Sequence, residues 1–395
     1  MNPQKTTVAH SVASDGLIDL VDECRRQWAS PSDWNLKAHI AEIDRAPTQP
    51  LPIYSLARLC RRRGHIALWR RLVDIARAIP HETNAELWCR ADVSITLDYW
   101  SGWRDREVRV HNAASRYFQS AFVRELQWAR CPWDGIEDLH NEGLFVVADG
   151  GFGDCIQTLR FIPWLASIAR DVVFCVRPEV ASLIQCNLGH LIHVTTVDDE
   201  PTVPCEYYTW AMSLPVLHGS VPPFTPLIAP RTDADFGALS RPRRIGICWA
   251  GSARNPTDRR RSVSLDMFEP LFALSAVEWY SLQVGARMVD ALGYPCVKQP
   301  ATALLTFAET ASLISCLDAV VTVDTSVAHL ASALGARTFV MLPFVSEFRW
   351  GLKDTTPWYP STRLIRQSTP GDWPSVIRKI VALLDEPQWA TSIAG

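Results

Sequence analysis

No stretch of this chain is long and apolar enough to span a membrane, and its opening residues, MNPQKTTVAHSVASDG, hold no apolar signal core. The expectation is a cytoplasmic protein. No two cysteines form a CxxC pair, which argues against a cysteine zinc site. The eleven present are scattered and odd in number, several inside apolar runs such as Cys175 in VVFCV and Cys248 in IGICW. That is the pattern of reduced thiols in a cytosolic chain. Charge of one sign is lacking too. The formal net charge is −3, so the molecule as a whole is not built to coat nucleic acid or anionic lipid. Neither a Walker loop nor a Gly-x-Ser-x-Gly elbow occurs.

What is present suits a soluble protein with several cores. The 395 residues exceed one ordinary core, and two or three domains follow from roughly 100–200 residues each. Apolar residues make up 48% and charged residues 21%, which excludes a mainly disordered chain. Sixteen tryptophans supply large surfaces for cores or for stacking on ligands.

Residues 1–16 are polar, and helical periodicity runs from about Leu17 to Glu125 within an expected helical domain 1–130. Its clearest run is Tyr54 to Ile79. Leu56, Leu59, Ile66, Leu68, Leu72, Ile75 and Ile79 are apolar there. Arg58, Arg61, Arg62, Arg63, Arg70, Arg71 and Arg77 supply charge. Gly64 breaks the run into a helical hairpin. A second pair is expected from Ala85 to Tyr117, turning at Ser101-Gly102-Trp103. Two such hairpins are compatible with tetratricopeptide-like helices. The arginines read as a solvated face, with docking of an acidic partner as the alternative.

After Cys131-Pro132-Trp133 the texture changes. Short apolar strands are expected at 144–149, 172–176 and 191–197. Helices are expected over 155–169 and from Glu179. Pro and charge then dominate 220–244. The pattern restarts with strands at 245–250, 279–284, 319–323 and 338–342 and helices at 265–274, 306–317 and up to Leu334. Alternating strands and helices mean parallel sheets with crossovers. The expected architecture is α/β, with Rossmann-like lobes at 131–225 and 244–395, a linker at 226–243 and the helical segment 1–130 in front. Such folds bind ligands at the carboxyl ends of their strands.

Three segments carry chemistry. In Asp324-Thr325-Ser326-Val327-Ala328-His329 a buried strand ends at Asp324, and Thr325 or Ser326 can cap the next helix. Backbone N–H groups at 326–328 then suit a diphosphate, helped by the helix dipole, with His329 one turn in. Ordinary capping beside a packed histidine is the plainer alternative. In Asp149-Gly150-Gly151-Phe152-Gly153-Asp154 the glycines allow positive φ and close ligand approach. Asp154 is offered at a helix N-terminus; a tight turn with Asp154 as N-cap is the structural alternative. No third glycine at the dinucleotide spacing follows. In Trp249-Ala250-Gly251-Ser252-Ala253-Arg254, running on to Asp258-Arg259-Arg260-Arg261-Ser262, arginines leave a strand end and suit phosphate through their donor fork. A solvated basic loop is the alternative, and nucleic acid lacks the aromatic interleaving it would need. Asp233-Ala234-Asp235 matches a metal-binding DxD but falls in the linker and reads as solvated. His190 and His193 read as structural.

The segment GGFGDCIQTLRFIPWL resembles the GGxGDxLQxxRYxPLL of bacterial tetratricopeptide-linked glycosyltransferases, which are similar to the ADP-heptose:lipopolysaccharide heptosyltransferases of glycosyltransferase family 9. CPWDGIEDLHNEGLFVVADG resembles their P-x-W-x-G lead-in. IGICWAGSARNPTDRRRSVSLDMFEPL resembles xGxxWAGNxxxxxDRxRSxxLxxxxPL, with Ser252 in place of the Asn. VVTVDTSVAHLASALGARTFVMLPFVSEFRWG and DTTPWYPSTRLIRQ resemble the closing VDTxxAHLAGALG, LPxxPDWRW and WYPxxRLxRQ, with Ser346-Glu347-Phe348 for Pro-Asp-Trp. The resemblance spans roughly 130–385. It implies the GT-B fold and sugar transfer from a nucleotide-diphospho-sugar. Asp154 would be the base at the glycine loop, beside Gly150, Gly151, Gly153 and Gln157. Arg261 or Arg260 would neutralise the donor phosphates where heptosyltransferases place a Lys. Ser252, Asp324, Thr325, Ser326, Val327, Ala328 and His329 would hold the donor.

Two functions fit. One is an inverting transferase to a glycan or protein acceptor. Arg and helix N–H groups would stabilise its leaving group, with neither metal nor other cofactor. The other is an inactive nucleotide-sugar-binding or scaffold module whose helices recruit a protein partner. Retention of Asp154 beside the phosphate cluster favours the first.

Overall fold

The computed structural model describes residues 17, 19–24, 34–46, 48–80, 83–97, 100–111, 131–197, 199–201, 203–230, 243–255, 258–275, 277–300 and 303–386. Residues 1–16, most of the linker with Asp233 and Asp235, and 112–125 of the expected helical region lie outside them. The chain forms two compact units, Met1–Ala113 with Val345–Leu352, and Ala114–Phe344 with Lys353–Gly395.

The first unit is helical. Pro50–Arg63 starts on prolines that need no N–H partner, and it stops at Gly64. Gly64 takes φ +83 and sends its N–H back to the Arg61 carbonyl. Ile66–Ala78 follows, completing the expected hairpin. Thr83 and Glu86 form a reciprocal capping box at the start of Asn84–Ser94. The core gathers Ile53, Tyr54, Leu56, Trp69, Leu72 and Val73. Several arginines of the expected solvated face are tied down. Arg58 donates to Asp92 at 2.8 Å, Arg61 to the Asp92 carbonyl at 2.8 Å and Arg71 to Glu23 at 2.5 Å. The expected turn at 101–103 is instead the start of a short helix, Ser101–Asp105. Gly102 permits this, because a Cβ there would stand 2.8 Å from the Ile95 nitrogen. Phe348 packs edge-on to Trp103 and beneath Arg106.

The second unit holds two parallel sheets. The first contains β1 (Cys131–Pro132), β2 (Gly143–Val147), β3 (Asp171–Val176), β4 (His193–Thr196) and β5 (Tyr207–Trp210) in the order β1-β5-β2-β3-β4. The second contains β6 (Arg243–Cys248), β7 (Val277–Ser281), β8 (Val297–Lys298), β9 (Ala319–Val323), β10 (Thr338–Leu342) and β11 (Thr362–Arg366) in the order β11-β10-β9-β6-β7-β8. Counted from β6, that is the doubly wound order 3-2-1-4-5-6 read from the β8 edge. The apolar runs β2, β9 and β10 are buried along their whole length, as strands covered on both faces must be. Two parallel α/β lobes are what the alternating pattern called for.

The boundaries differ in instructive places. The expected helix 155–169 is split into Phe152–Thr158, a 3-10 turn at Leu159–Phe161 and Ile162–Ile168, with Pro163 opening the last piece. The polar loop to Ser264 contains a short helix, Asp258–Arg261. The helix Trp373–Asp385 buries Val376, Ile377, Ile380 and Leu384 in the core of the second sheet, alongside Trp249, Phe268 and Trp279.

Candidate functional site

In an open parallel sheet the crevice forms where the chain, having built outward in one direction, returns to build in the other. In the second sheet that point lies between β6 and β9, paired with Cys248 opposite Thr322. The loop Trp249-Ala250-Gly251 leaves β6, and Asp324-Thr325-Ser326 leaves β9. Two of the three segments picked out from sequence are therefore neighbours at the carboxyl edge.

The first loop is held by Gln283, just past the end of β7. Its Oε1 accepts the N–H groups of Trp249 at 3.2 Å and Ala250 at 2.9 Å, and its Nε2 donates to the Ala250 carbonyl at 3.0 Å. Farther along, the Gly251 N–H donates to Ser262 Oγ at 2.9 Å. Arg261 lies over Gly251 and reaches Asp258 at 3.2 Å, so part of its charge is already matched. Arg260 is exposed, and Ser252, also exposed, accepts the Arg254 N–H through its Oγ at 3.4 Å.

The second segment runs into the helix Ser326–Ala333. Thr325 holds the N-cap position, but its side chain makes no capping bond. Its hydroxyl turns inward to Thr322 Oγ1 at 3.1 Å and Cys248 Sγ at 3.8 Å. Burial pushes the Cys248 thiol above its ordinary range, while hydrogen bonds from the two threonines oppose the shift. The Ala328 N–H closes onto the Thr325 carbonyl. Ser326 and Val327 are then the N–H groups of the expected trio with no acceptor among the described residues. Asp324 is 5% exposed at the strand end.

The glycine loop follows β2 at the switch point of the first sheet, between β2 and β5. Asp149 bridges that point by accepting the Met212 N–H at 2.8 Å. Only Gly150 has a positive φ, +97. Gly151 is the N-cap of Phe152–Thr158, and Asp154 sits three residues later. Asp154 is thus not the N-cap itself. Its Oδ2 accepts the Gly151 N–H at 2.7 Å. Gly153 faces the other lobe. A Cβ on it would meet His329 Cδ2 at 2.6 Å, so it lets the 152–158 and 326–333 helices touch. His329 is 3% exposed and shares a hydrogen bond with the Tyr359 hydroxyl at 3.0 Å.

Sequence reasoning gave no role to several residues around these loops. Arg177, from the end of β3, donates to the Gly150 carbonyl at 3.0 Å and lies over the Phe152 ring. Gln283 and Tyr359 are the others. Tyr359 stands in the quoted WYP motif; Gln283 has no signal beyond a polar residue after an apolar strand. The described residues contain no group of three His, Cys, Asp or Glu placed to hold a metal. His193 lies 3.9 Å from Asp171 in an exposed pair. No described helix is long and apolar enough to cross a membrane.

Residues 299–369 match the model of glycosyltransferase family 9 (heptosyltransferase). That span holds Asp324 to His329 and Tyr359, while the glycine loop and the Arg260–Arg261 loop lie before it. No curated protein matches the sequence. Among solved structures the chain is similar to the Escherichia coli heptosyltransferase WaaC with ADP-2-deoxy-2-fluoro heptose, at 11% identity over 62% of this chain and 100% of that one, with TM-score 0.41. It is similar to the E. coli ADP-heptose LPS heptosyltransferase II at 13% identity, over 61% and 98%, with TM-score 0.42. A family 9 glycosyltransferase from Veillonella parvula shows 11% identity over 65% and 99%, with TM-score 0.42.

Proposed function

We propose an inverting, metal-independent transfer of a sugar from a nucleotide-diphospho-sugar to a glycan or protein acceptor, for a chain whose residues 299–369 match the family 9 glycosyltransferase model. The observation that carries this reading is the crevice between β6 and β9. It sets the N–H groups of Ser326 and Val327 beside the arginine-bearing loop 249–262. A helix N-terminus with cationic forks suits a diphosphate leaving group. Arg260 and Arg261, on that loop, would balance the charge of the diphosphate in this reading. Ser252, Asp324, Thr325, Ala328 and His329 shape the donor side.

Asp154 is the base for the acceptor hydroxyl, with Gly150, Gly151 and Gly153 fixing the turn that carries it. One of its oxygens is committed to the Gly151 N–H. A carboxylate has room for further bonds on its two oxygens, so capping and acceptor contact are compatible. In this reading the carboxylate orients the acceptor hydroxyl as well as taking its proton. The helical front, read as tetratricopeptide-like, serves acceptor choice or a protein partner, and the site of action is the cytoplasm.

The test is turnover of a nucleotide-sugar panel to free nucleoside diphosphate. Asp154→Asn keeps an oxygen for the Gly151 N–H and removes the charge. Its kcat should fall by about 10²–10⁴ with donor affinity and melting temperature nearly unchanged. Wild-type turnover in that variant refutes the base assignment, and no turnover of any donor by the native chain refutes the reaction.

A further inference from the structure

Past the glycine loop the chain carries two polar side chains whose burial the reaction above does not use. Gln157 is 2% exposed, and neither its Oε1 nor its Nε2 has a partner among the described residues. Arg160, three residues on, is held in one orientation. Its Nη1 donates to the Trp358 carbonyl at 2.9 Å, and its Cζ lies 5.7 Å from the ring centroids of both Phe224 and Trp358. Its remaining buried donors, Nε and Nη2, have no described acceptor. Those two atoms form the side-on edge of a guanidinium, the edge that takes two oxygens of one carboxylate or phosphate. No described carboxylate balances the charge. Burial lowers the proton affinity of Arg160, and only the Tyr359 hydroxyl opposes it. A buried amide and a buried, unbalanced guanidinium fork are both costly when nothing meets them.

Resting on the transferase reading, we infer that Gln157 and Arg160 form a binding site for an oxyanion of the acceptor, a carboxylate or phosphate that takes the Nε and Nη2 fork and the Gln157 amide. Both residues belong to the lobe that carries Asp154, and they lie four and seven positions beyond Gly153, near the face that meets His329. The Phe224 and Trp358 rings flank the guanidinium and lower the polarity around it, which strengthens a charge-assisted bond. Arg160 is only partly covered, and its one described hydrogen bond runs to Trp358 in the other lobe. The acceptor class is therefore an acidic or phosphorylated glycan.

The test is calorimetry on the full chain, with glucuronate and inorganic phosphate as probes, glucose as the neutral control, and a nucleoside diphosphate to mark the donor side. Native protein should bind at least one anionic probe and not glucose. Gln157→Leu and Arg160→Met should each weaken that binding about tenfold or more. Arg160→Lys should weaken it too, because an ammonium keeps the charge and loses the fork. Nucleoside diphosphate affinity should stay within about twofold. Melting temperature should hold or rise in Gln157→Leu and Arg160→Met, since each removes a polar group without a protein partner. No anion binding by the native chain, or binding that all three variants retain, overturns the site. Loss of nucleoside diphosphate affinity in Arg160→Met places the fork on the donor and overturns the acceptor assignment. Binding is read without turnover, so a chain that transfers no sugar leaves this result standing or fallen by itself.

Discussion

Gly153→Ala tests whether the third glycine of the loop serves a ligand or the packing of two helices. The added Cβ would lie 2.6 Å from His329 Cδ2 and 3.3 Å from its Cγ and Nε2. The ring has little freedom to withdraw, being 3% exposed and tied to Tyr359 at 3.0 Å. Overpacking of this kind costs about 1–3 kcal/mol. Against it stands the helix preference of Ala over Gly, at most about 1 kcal/mol, and less this near the N-terminus. The net expectation is destabilisation by about 1 kcal/mol, read as a lowered urea midpoint. Introducing the same change beside His329→Ala reverses the sign, because the clash is gone and only the helix preference remains. The double-mutant cycle should therefore show coupling of about 1–3 kcal/mol. A Gly153→Ala variant that is more stable than the native chain, or one whose effect is the same in both backgrounds, refutes the packing argument.

Three further outcomes are expected. Gln283→Ala strips the acceptor from the buried N–H groups of Trp249 and Ala250 and should cost about 2–4 kcal/mol in urea unfolding; an unchanged urea midpoint would refute this. Burial lifts the Cys155 thiol to about 12 from an ordinary 9.0, so the folded chain keeps a proton that the unfolded chain releases. Stability should fall as pH rises from about 9 toward about 12, and iodoacetamide should label the exposed Cys131, Cys186 and Cys296 of the native protein while Cys155 reacts only in denaturant. Sugar transfer should survive EDTA; complete loss, restored by a divalent ion, would return attention to Asp233 and Asp235.

The strands at 319–323 and 338–342 were legible to the residue, because short runs of mostly Val, Phe, Met and Leu between polar turns leave a strand buried on both faces little alternative. Gly64 announced the first hairpin, having no side chain to resist φ +83. The edge strands β1 and β8, two residues each, left no run to read, and β11 alternates with exposed Arg363. The strand order came from pairing, which no local pattern encodes, and with it came the crevice that makes neighbours of Trp249 and Asp324. Gly102 misled for the opposite reason. A glycine between Ser and Trp suggests a turn, yet here it lets a short helix press against Ile95. The motif offered Thr325 or Ser326 as the cap, and Thr325 holds the N-cap position, but a hydroxyl can turn to Thr322 as readily as to a backbone N–H, and only the buried surroundings decide.

The loop residues now divide by what accounts for them. Three glycines in a row of five invite a ligand, yet each has a reason inside the fold. Gly150 takes a left-handed turn, Gly151 gives its N–H to Asp154, and Gly153 makes room for His329. Thr325 and Gln283 are likewise spent on their own neighbours. Substituting such residues should lower stability first and activity as a consequence. Gln157 and Arg160 are the reverse. Their aliphatic stems pack, but the described neighbours give no partner to the Gln157 amide or to two of the Arg160 donors, so the fold alone would gain by replacing them with Leu or Met. Stability and binding should then move in opposite directions. That divergence separates a residue kept for a substrate from one kept for the core, and a measurement of activity by itself would miss it.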